Sequence, residues 1–450
     1  MEREYDIVII GTGVAGTTLA HQVGYSGLNI AVIDSREYGG TCPLRGCDPK
    51  KALASASEAA DWNNRLIGRG AGTESPLRID WPSLIEFKRT FTEDYPRKIE
   101  KSLFEMGIDT YHGRAYFEDE NTVAVGEDKL KGVYIFIAAG ARPRKLGIPG
   151  EEYLTSSEEF METEKLPERI VFVGGGYISF EFAHIARRAG CRVTILQRSE
   201  RPLEQFDPDL VDMLLKASEV AGIEVLTNNP VVAVEKEGGS LLVRTEFKTE
   251  SHSETHTFFA DMVVHGAGRV PDLEDLQPEN AGIRVENGAI VVDKHMRTSN
   301  PRVYAGGDCT SEGMPLTPVA TLQARVAAAN VLDGNRVEAD YTGIPRAVFT
   351  IPPLASVGIS VPPDSTKYRV VFRDRSNWYS TRRTGMEFAG SKVIIDKEND
   401  RIMGAHILGP NAEEAINLFA AAMRLGLKAS DLKKVVYAYP GVCSDIVYML

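Results

Sequence analysis

The chain has 450 residues, too many for one hydrophobic core, so about two to four domains are expected. Its 43% hydrophobic and 25% charged residues are those of an ordinary globular protein, and its net charge of −12 argues against nucleic acid or an anionic membrane as partner. No apolar run reaches the ~18 residues of a membrane span. Met1 leads straight into a strand-like run with no basic segment and cleavable apolar stretch, so a cytoplasmic location is expected.

The first apolar run, Asp6 to Ile10, ends in the turn Gly11-Thr12-Gly13-Val14-Ala15-Gly16. A helix-like stretch follows, then a second strand, Ile30 to Ile33, closed by Asp34. This is a βαβ unit in the context that a dinucleotide fingerprint needs. Gly11 permits the tight turn, Gly13 lets the backbone approach a pyrophosphate, and Gly16 lets the helix pack on the strand. Phosphates would then lie at a helix N-terminus, where unpaired N–H groups favour anions. Asp34 is placed to accept hydrogen bonds from an adenosine ribose. An ordinary glycine turn would explain the glycines but not the acid that follows them.

Next comes Gly39-Gly40-Thr41-Cys42-Pro43-Leu44-Arg45-Gly46-Cys47-Asp48-Pro49-Lys50-Lys51. Its two cysteines, with four residues between them, can close a disulfide across one helical turn. Zinc would need two further ligands and the segment has none, so no metal site is expected. Two inert thiols are the plain alternative. The other cysteines, Cys191, Cys309 and Cys443, are scattered and read as small buried residues, without a disulfide framework.

Gly147-Ile148-Pro149-Gly150 reads as a linker. Beyond it the first pattern returns: Ile170 to Val173, the turn Gly174-Gly175-Gly176-Tyr177-Ile178-Ser179, and a strand from Val193 to Leu196. Ser179 replaces the third glycine with a residue still small enough for close packing. The second strand ends at Gln197 rather than an acid, and Arg198 and Arg201 follow. An acid would hold a free ribose hydroxyl, whereas arginine suits a 2′-phosphate, so NADPH is favoured over NADH. A solvated surface pair of arginines is the alternative. Val303-Tyr304-Ala305-Gly306-Gly307-Asp308 precedes an alanine-rich helix from Pro318 to about Leu332. From Tyr341 apolar and polar residues alternate, as in Arg369 to Phe372 and Lys392 to Ile395, before an amphipathic helix from about Ala412 to Leu425. This last part reads as α+β.

The motifs together resemble the class I pyridine nucleotide-disulfide oxidoreductases, the group of glutathione reductase, dihydrolipoamide dehydrogenase and mercuric reductase. Besides the glycine turns and the cysteine segment, the resemblance rests on Ala138-Ala139-Gly140-Ala141-Arg142-Pro143, Gly266-Ala267-Gly268-Arg269, Ala305-Gly306-Gly307-Asp308, Leu316-Thr317-Pro318-Val319-Ala320 and Phe349-Thr350-Ile351-Pro352-Pro353. It spans essentially the whole chain. It implies an α/β fold of two Rossmann-like dinucleotide-binding domains plus a C-terminal α+β dimerisation domain. The FAD-binding domain would be split over residues 1–148 and 270–340, the NAD(P)-binding domain would be 149–269, and the interface domain 341–450. It also implies a homodimer.

Residue by residue, the resemblance places Gly11, Gly13, Val14, Ala15, Gly16, Asp34, Gly40, Thr41, Ala115, Ala139, Gly140, Asp308 and Thr317 around FAD. Gly174, Gly176, Tyr177, Ile178, Arg198, Arg201 and Gly268 would serve the nicotinamide nucleotide, with Tyr177 covering its pocket. Cys47 would be the flavin-proximal thiolate and Cys42 the interchange thiol that meets substrate. Lys50 would sit by the flavin and pair with Glu181. The implied activity is FAD-dependent reduction of a disulfide, or of a similar thiol-reactive acceptor, by NADPH, with NADH as the other donor.

The chain departs from this family in four places. The family's C-terminal histidine, which protonates the leaving thiolate from the partner subunit, is replaced by Tyr439, and its glutamate by Ser444. A phenol of pKa ~10 is a poor proton shuttle beside an imidazole of ~6.5. Cys443 lies in that same segment, either as a third thiol or soft-metal contact or as an incidental small residue. Asp48 and Arg45 stand where the family has apolar or small residues, and a carboxylate at Asp48 would disfavour a neighbouring thiolate. Arg325 matches a substrate-binding arginine of glutathione reductases, but His21 stands where a second one is expected. Three readings follow: a disulfide reductase, a metal-ion or quinone reductase, and a non-catalytic redox sensor.

Overall fold

The computed structural model describes residues 1–70, 75–248, 253–360 and 366–450. The chain divides into two compact units. One contains Met1–Lys50, Phe87–Arg144 and Arg269–Tyr341, and the other Lys51–Glu86, Lys145–Gly268 and Thr342–Leu450.

The first unit is built on a sheet in which the strand Glu2–Ile10 lies between Ile30–Asp34 and Asp128–Ile137, parallel to both. Asp109–His112 extends the sheet beyond Ile30–Asp34, and Val303–Ala305 pairs in parallel with Asp128–Ile137. Ile7, Val8 and Ile9 are fully buried, as a parallel strand covered on both faces requires. The first strand is four residues longer than its apolar run. Its charged start, Glu2-Arg3-Glu4, pairs with Lys129, Leu130 and Lys131, so the ladder rather than hydrophobicity carries it outward. The helix Val14–Val23 buries Ala15, Gly16, Leu19, Ala20 and Val23 against the sheet. The alanine-rich helix runs from Thr317 to Asp333.

The second unit opens with a five-stranded parallel sheet in which Arg169–Val173 lies between Arg192–Leu196 and Met262–His265. The helix Tyr177–Arg188 is buried without a break from Ser179 to Ala186, which leaves Glu181 and His184 inside. Two antiparallel sheets complete the unit. Val231–Glu237, Ser240–Lys248 and Ser253–Ala260 form a three-stranded sheet that the sequence patterns did not announce. The C-terminal sheet has five strands, with Tyr368–Asp374 and Gly390–Asp396 around the two expected runs. The helix Ala412–Arg424 packs Ala412, Ala415, Ile416, Phe419 and Ala420 into that core, at the spacing of one helical face. The fold is therefore mixed α/β with two dinucleotide-binding units of Rossmann type and a C-terminal α+β part.

Candidate functional site

The first glycine turn leaves little choice of residue. Gly11 has φ +101°, and a Cβ there would lie 2.3 Å from the Ala138 carbonyl oxygen. A Cβ on Gly16 would lie 1.9 Å from the Gly11 carbonyl oxygen. Gly13 is different: a Cβ would meet only Gly40 Cα, at 3.9 Å. Among the described residues nothing demands its bareness, which fits a position kept open for a ligand. Gly40, with φ +72°, closes on Gly13 from the other side and caps the short helix Thr41–Arg45. The Asp34 carboxylate accepts the Thr12 backbone N–H at 2.7 Å and the Thr12 hydroxyl at 2.5 Å. Val14 and Ala15 open the first helix, and Ala139 and Gly140 follow the strand Asp128–Ile137. Ala115 opens the short strand Ala115–Phe117. A bare turn at a helix N-terminus with an acid behind it fits the pyrophosphate and ribose of FAD. Asp308 follows the strand Val303–Ala305, and burial, partly offset by Arg269, pushes its carboxyl above the usual range.

The sulfur pair belongs to the same unit. Cys42 is in the helix Thr41–Arg45 and Cys47 is the first residue of the helix Cys47–Arg65. Both are thiols rather than a disulfide. The Thr317 hydroxyl donates to Cys42 Sγ at 3.0 Å and lies 3.8 Å from Cys47 Sγ. A hydrogen bond with Cys47, and then burial, hold the proton on Cys42 far more tightly than on an ordinary thiol. The helix start favours negative charge at Cys47. The two sulfurs are therefore placed unlike: Cys42 holds its proton more tightly than an ordinary thiol, and Cys47 stands at a helix start. Lys50 is buried.

In the second unit the glycine turn repeats the first with altered parts. Gly174 has φ +96°, and a Cβ on it would lie 2.7 Å from Ala267 Cα. Ser179, in the third-glycine place, is tolerated because its neighbour yields: a Cβ on Gly266 would lie 1.9 Å from Ser179 Oγ. Gln197 Oε1 accepts the Gly175 backbone N–H at 2.7 Å, as Asp34 accepts that of Thr12. The spacing from turn residue to acceptor is 22 in both cases, a signal present in the sequence and missed there. Tyr177 and Ile178 open the following helix, Tyr177 is 43% exposed, and Gly268 has φ +106°. Arg198 is exposed, and Arg201 makes an exposed ion pair with Asp212 at 3.1 Å.

The buried Glu181 carboxylate receives the Lys51 ammonium at 2.9 Å and the Phe349 backbone N–H at 2.8 Å. Lys51 also lies 3.7 Å from the Phe349 ring centre. The sequence pointed to Lys50 for this carboxylate and did not assign Lys51 to it; the structure puts the Lys51 ammonium there.

The C-terminal segment is anchored from beneath. Tyr439 is 84% exposed, while Cys443 is half-buried and its thiol is pushed up, chiefly by burial. Ser444 donates its hydroxyl to the Gly441 carbonyl. Asp445 accepts from Ser380 and lies 3.9 Å from Arg375, whose guanidinium is fully buried and pushed down to about 10 by that burial. Asp445→Ala is expected to cost about 3–5 kcal/mol, since it leaves a buried charge uncompensated. Glu105→Ala, which removes a surface pair with Lys101, is expected to cost under about 1 kcal/mol. Urea denaturation of both variants measures the difference.

Of the two substrate positions considered above, Arg325 is exposed. His21 is tied to the Thr17 carbonyl and the Ser102 hydroxyl.

The comparisons with known proteins agree with this geometry. The pyridine nucleotide-disulphide oxidoreductase family matches residues 5–324, and the dimerisation domain of the same family matches residues 344–449. The chain belongs to this family, an enzyme family that uses FAD and a pyridine nucleotide, and it is a FAD-dependent disulfide oxidoreductase. It is 30% identical to the glutathione reductase of Nostoc sp. over all of both chains. With the glutathione reductase of Burkholderia cepacia it shares 31% identity, over 99% of this chain and 98% of that one. The mercuric reductase of Bacillus cereus is 29% identical, over 97% of this chain and 69% of that protein. Among solved structures, the HOCl-induced flavoprotein disulfide reductase RclA of Escherichia coli superposes with a TM-score of 0.88 at 28% identity, covering 99% of both chains. RclA has also been solved as a Cu(II) complex. No described helix is long and apolar enough to cross a membrane.

Proposed function

We propose that this chain is an NADPH-dependent homodimeric reductase of a small disulfide, in which the pair Cys42–Cys47 receives electrons at Cys47 and delivers them from Cys42. FAD, when bound, relays an electron pair from the nicotinamide nucleotide to a disulfide. The observation that carries the reading is the gathering of the two sulfurs around one hydroxyl, Thr317 Oγ1 lying 3.0 Å from Cys42 Sγ and 3.8 Å from Cys47 Sγ. Gly11, Gly13, Gly16 and Asp34 would hold the FAD pyrophosphate and ribose, with Gly40, Thr41, Ala115, Ala139, Gly140, Asp308 and Thr317 around the rest. Gly174, Gly176, Tyr177, Ile178 and Gly268 would form the nicotinamide nucleotide site. NADPH is preferred because an amide, not a carboxylate, follows the second strand Arg192–Leu196, beside the exposed Arg198. Lys50 and Glu181 keep the roles that the family assigns to them, and Lys51 joins Glu181.

The test is rapid mixing with NADPH and with NADH, followed by a panel of disulfides. A long-wavelength absorbance band forming faster with NADPH, and turnover of at least one disulfide, are expected. Equal rates with the two nucleotides would remove the NADPH preference, and no disulfide turnover would remove the acceptor class.

A second reading keeps the electron route and makes the acceptor a metal ion. It is favoured by the likeness to mercuric reductase and to RclA, which has been solved with Cu(II). Cys443 is the thiol of the C-terminal segment that would meet such an ion. If Cys443→Ala abolishes turnover of Hg(II) or Cu(II) while leaving disulfides untouched, this reading gains. An unchanged metal rate removes Cys443 from it.

A further inference from the structure

One hydroxyl touches both sulfurs. Thr317 is the first residue of the helix Thr317–Asp333, and its Oγ1 lies 3.0 Å from Cys42 Sγ and 3.8 Å from Cys47 Sγ. Among the described residues this hydroxyl makes no other hydrogen bond. A β-branched side chain on a helix has few rotamers, so the hydroxyl is held where the sulfurs meet it. The backbone gathers the pair. A Cβ on Gly46 would lie 2.9 Å from the Thr41 carbonyl oxygen and 3.2 Å from Cys42 Cα. The bare glycine thus lets the helix Cys47–Arg65 start close against the helix Thr41–Arg45. A hydroxyl has one proton to give and two lone pairs to receive with. In contact with two sulfurs, it can take a proton from one as it gives its own to the other. Cys42 needs that help, because the thiolate is the nucleophile in disulfide exchange. Cys47 and burial, and then Asp48, keep the proton on Cys42, whereas the Thr317 hydrogen bond pulls the other way. The imidazole that the family brings from the partner subunit is replaced in this chain by Tyr439.

We propose that Thr317 is a catalytic residue of thiol–disulfide exchange: its hydroxyl carries the Cys42 proton to Cys47 and then holds the Cys42 thiolate by a hydrogen bond. The inference rests on the disulfide-reductase reading of the same sulfurs. The reduced site starts as a Cys42 thiol and a Cys47 thiolate. Thr317 Oγ1 gives its proton to Cys47 Sγ and takes the proton of Cys42, so the charge moves to Cys42. Oγ1–H then donates to Cys42 Sγ. The Cys42 thiolate attacks R–S–S–R′, the substrate S–S bond breaks, a Cys42–S–S–R bond forms, and R′S⁻ leaves with the electron pair. Cys47, which is exposed, loses its proton to solvent. Its thiolate attacks the Cys42 sulfur, closing the internal disulfide and releasing RS⁻. Solvent protonates both departing thiolates. One disulfide is reduced to two thiols and one protein dithiol is oxidised; NADPH restores the dithiol.

The test reads the two sulfurs separately. Protein reduced with NADPH is treated with iodoacetamide, and alkylation of Cys42 and of Cys47 is followed by mass spectrometry beside the long-wavelength absorbance, all per bound flavin. Thr317→Val keeps the side-chain shape and removes the hydroxyl. Losing a hydrogen bond to a charged sulfur lowers the thiolate fraction at Cys42 about 10- to 100-fold. The more basic thiolate that remains is also more nucleophilic, which returns about half of that on a logarithmic scale. Cys42 of the variant is therefore expected to react about 3- to 10-fold more slowly than in wild type. Cys47 should react no more slowly, and the band should persist. Thr317→Ser, which restores the hydroxyl, should recover most of the Cys42 rate. Turnover of bis(2-hydroxyethyl) disulfide should follow Cys42 in each variant. A distorted site would instead slow both sulfurs, lose the band or fail to recover with serine. Any of these results, or a valine variant whose Cys42 reacts as in wild type, overturns the proposal. A wild type that shows no long-wavelength band with NADPH overturns the reading beneath it.

Discussion

Cys47→Ser is expected to abolish the long-wavelength band that NADPH produces in wild type and to lower disulfide turnover by at least about 10³-fold. The serine hydroxyl is not ionised at neutral pH and cannot close a disulfide with Cys42. Cys42→Ser is expected to differ in spectrum while matching in turnover. It leaves the Cys47 sulfur in place at the helix start, so the band persists, but no thiol remains to meet substrate. The asymmetry follows from the proton held on Cys42 by Cys47 and by burial. Absorbance spectra of the two purified variants, before and after NADPH, are the check. If the spectra are interchangeable, the assignment of the two sulfurs fails. If Cys47→Ser turns over disulfides within tenfold of wild type, the pair is not on the route at all.

Gly11→Ala should be nearly as damaging, and through the fold. The added Cβ meets the Ala138 carbonyl oxygen at 2.3 Å in a backbone region, φ +101°, that side chains avoid. Strain and overpacking together predict a loss of about 3–5 kcal/mol. A domain typically has only about 5–15 kcal/mol of stability to lose. The variant should purify with little flavin and unfold at markedly lower denaturant. Gly27→Ala is the control: its φ is +78°, but nothing lies within 4 Å of the new Cβ, so only backbone strain of about 1 kcal/mol is added. A Gly11→Ala protein as stable and as yellow as the control would show that the contact with Ala138 is not what the turn depends on.

Much of this was legible before the structure, because the features that carry nucleotide chemistry are local. A strand, a glycine turn, a helix and a following acid all fall within a short stretch, and backbone sterics dictate each glycine. What escaped the sequence was long-range. Lys51 reaches Glu181 across 130 residues, and only the folded unit shows that this ammonium is on that carboxylate. The serine in the third-glycine place was read as small enough, but its compensation is Gly266, in a different loop. Among its described residues the three-stranded sheet has few buried side chains, so it sent no clear periodic signal. Arg375 was missed for the opposite reason, since a charge gives no hint in sequence that it will be buried entirely.

The twin turns also bear on how nucleotide preference in such a chain can be rewritten. In each βαβ unit a side chain at the end of the second strand, or just after it, is a staple of its own glycine turn: Asp34 accepts the Thr12 N–H, and Gln197 accepts that of Gly175. Gln197 also donates to the Arg201 carbonyl, so it braces the loop that carries both arginines. Selection for a new coenzyme cannot treat this position as a free dial. A glutamate keeps the acceptor, adds the charge that a free ribose prefers and gives up the donor; most other replacements would loosen the phosphate cradle while retuning the ribose. On the nucleotide site proposed above, the position free to vary is Arg198, which is exposed.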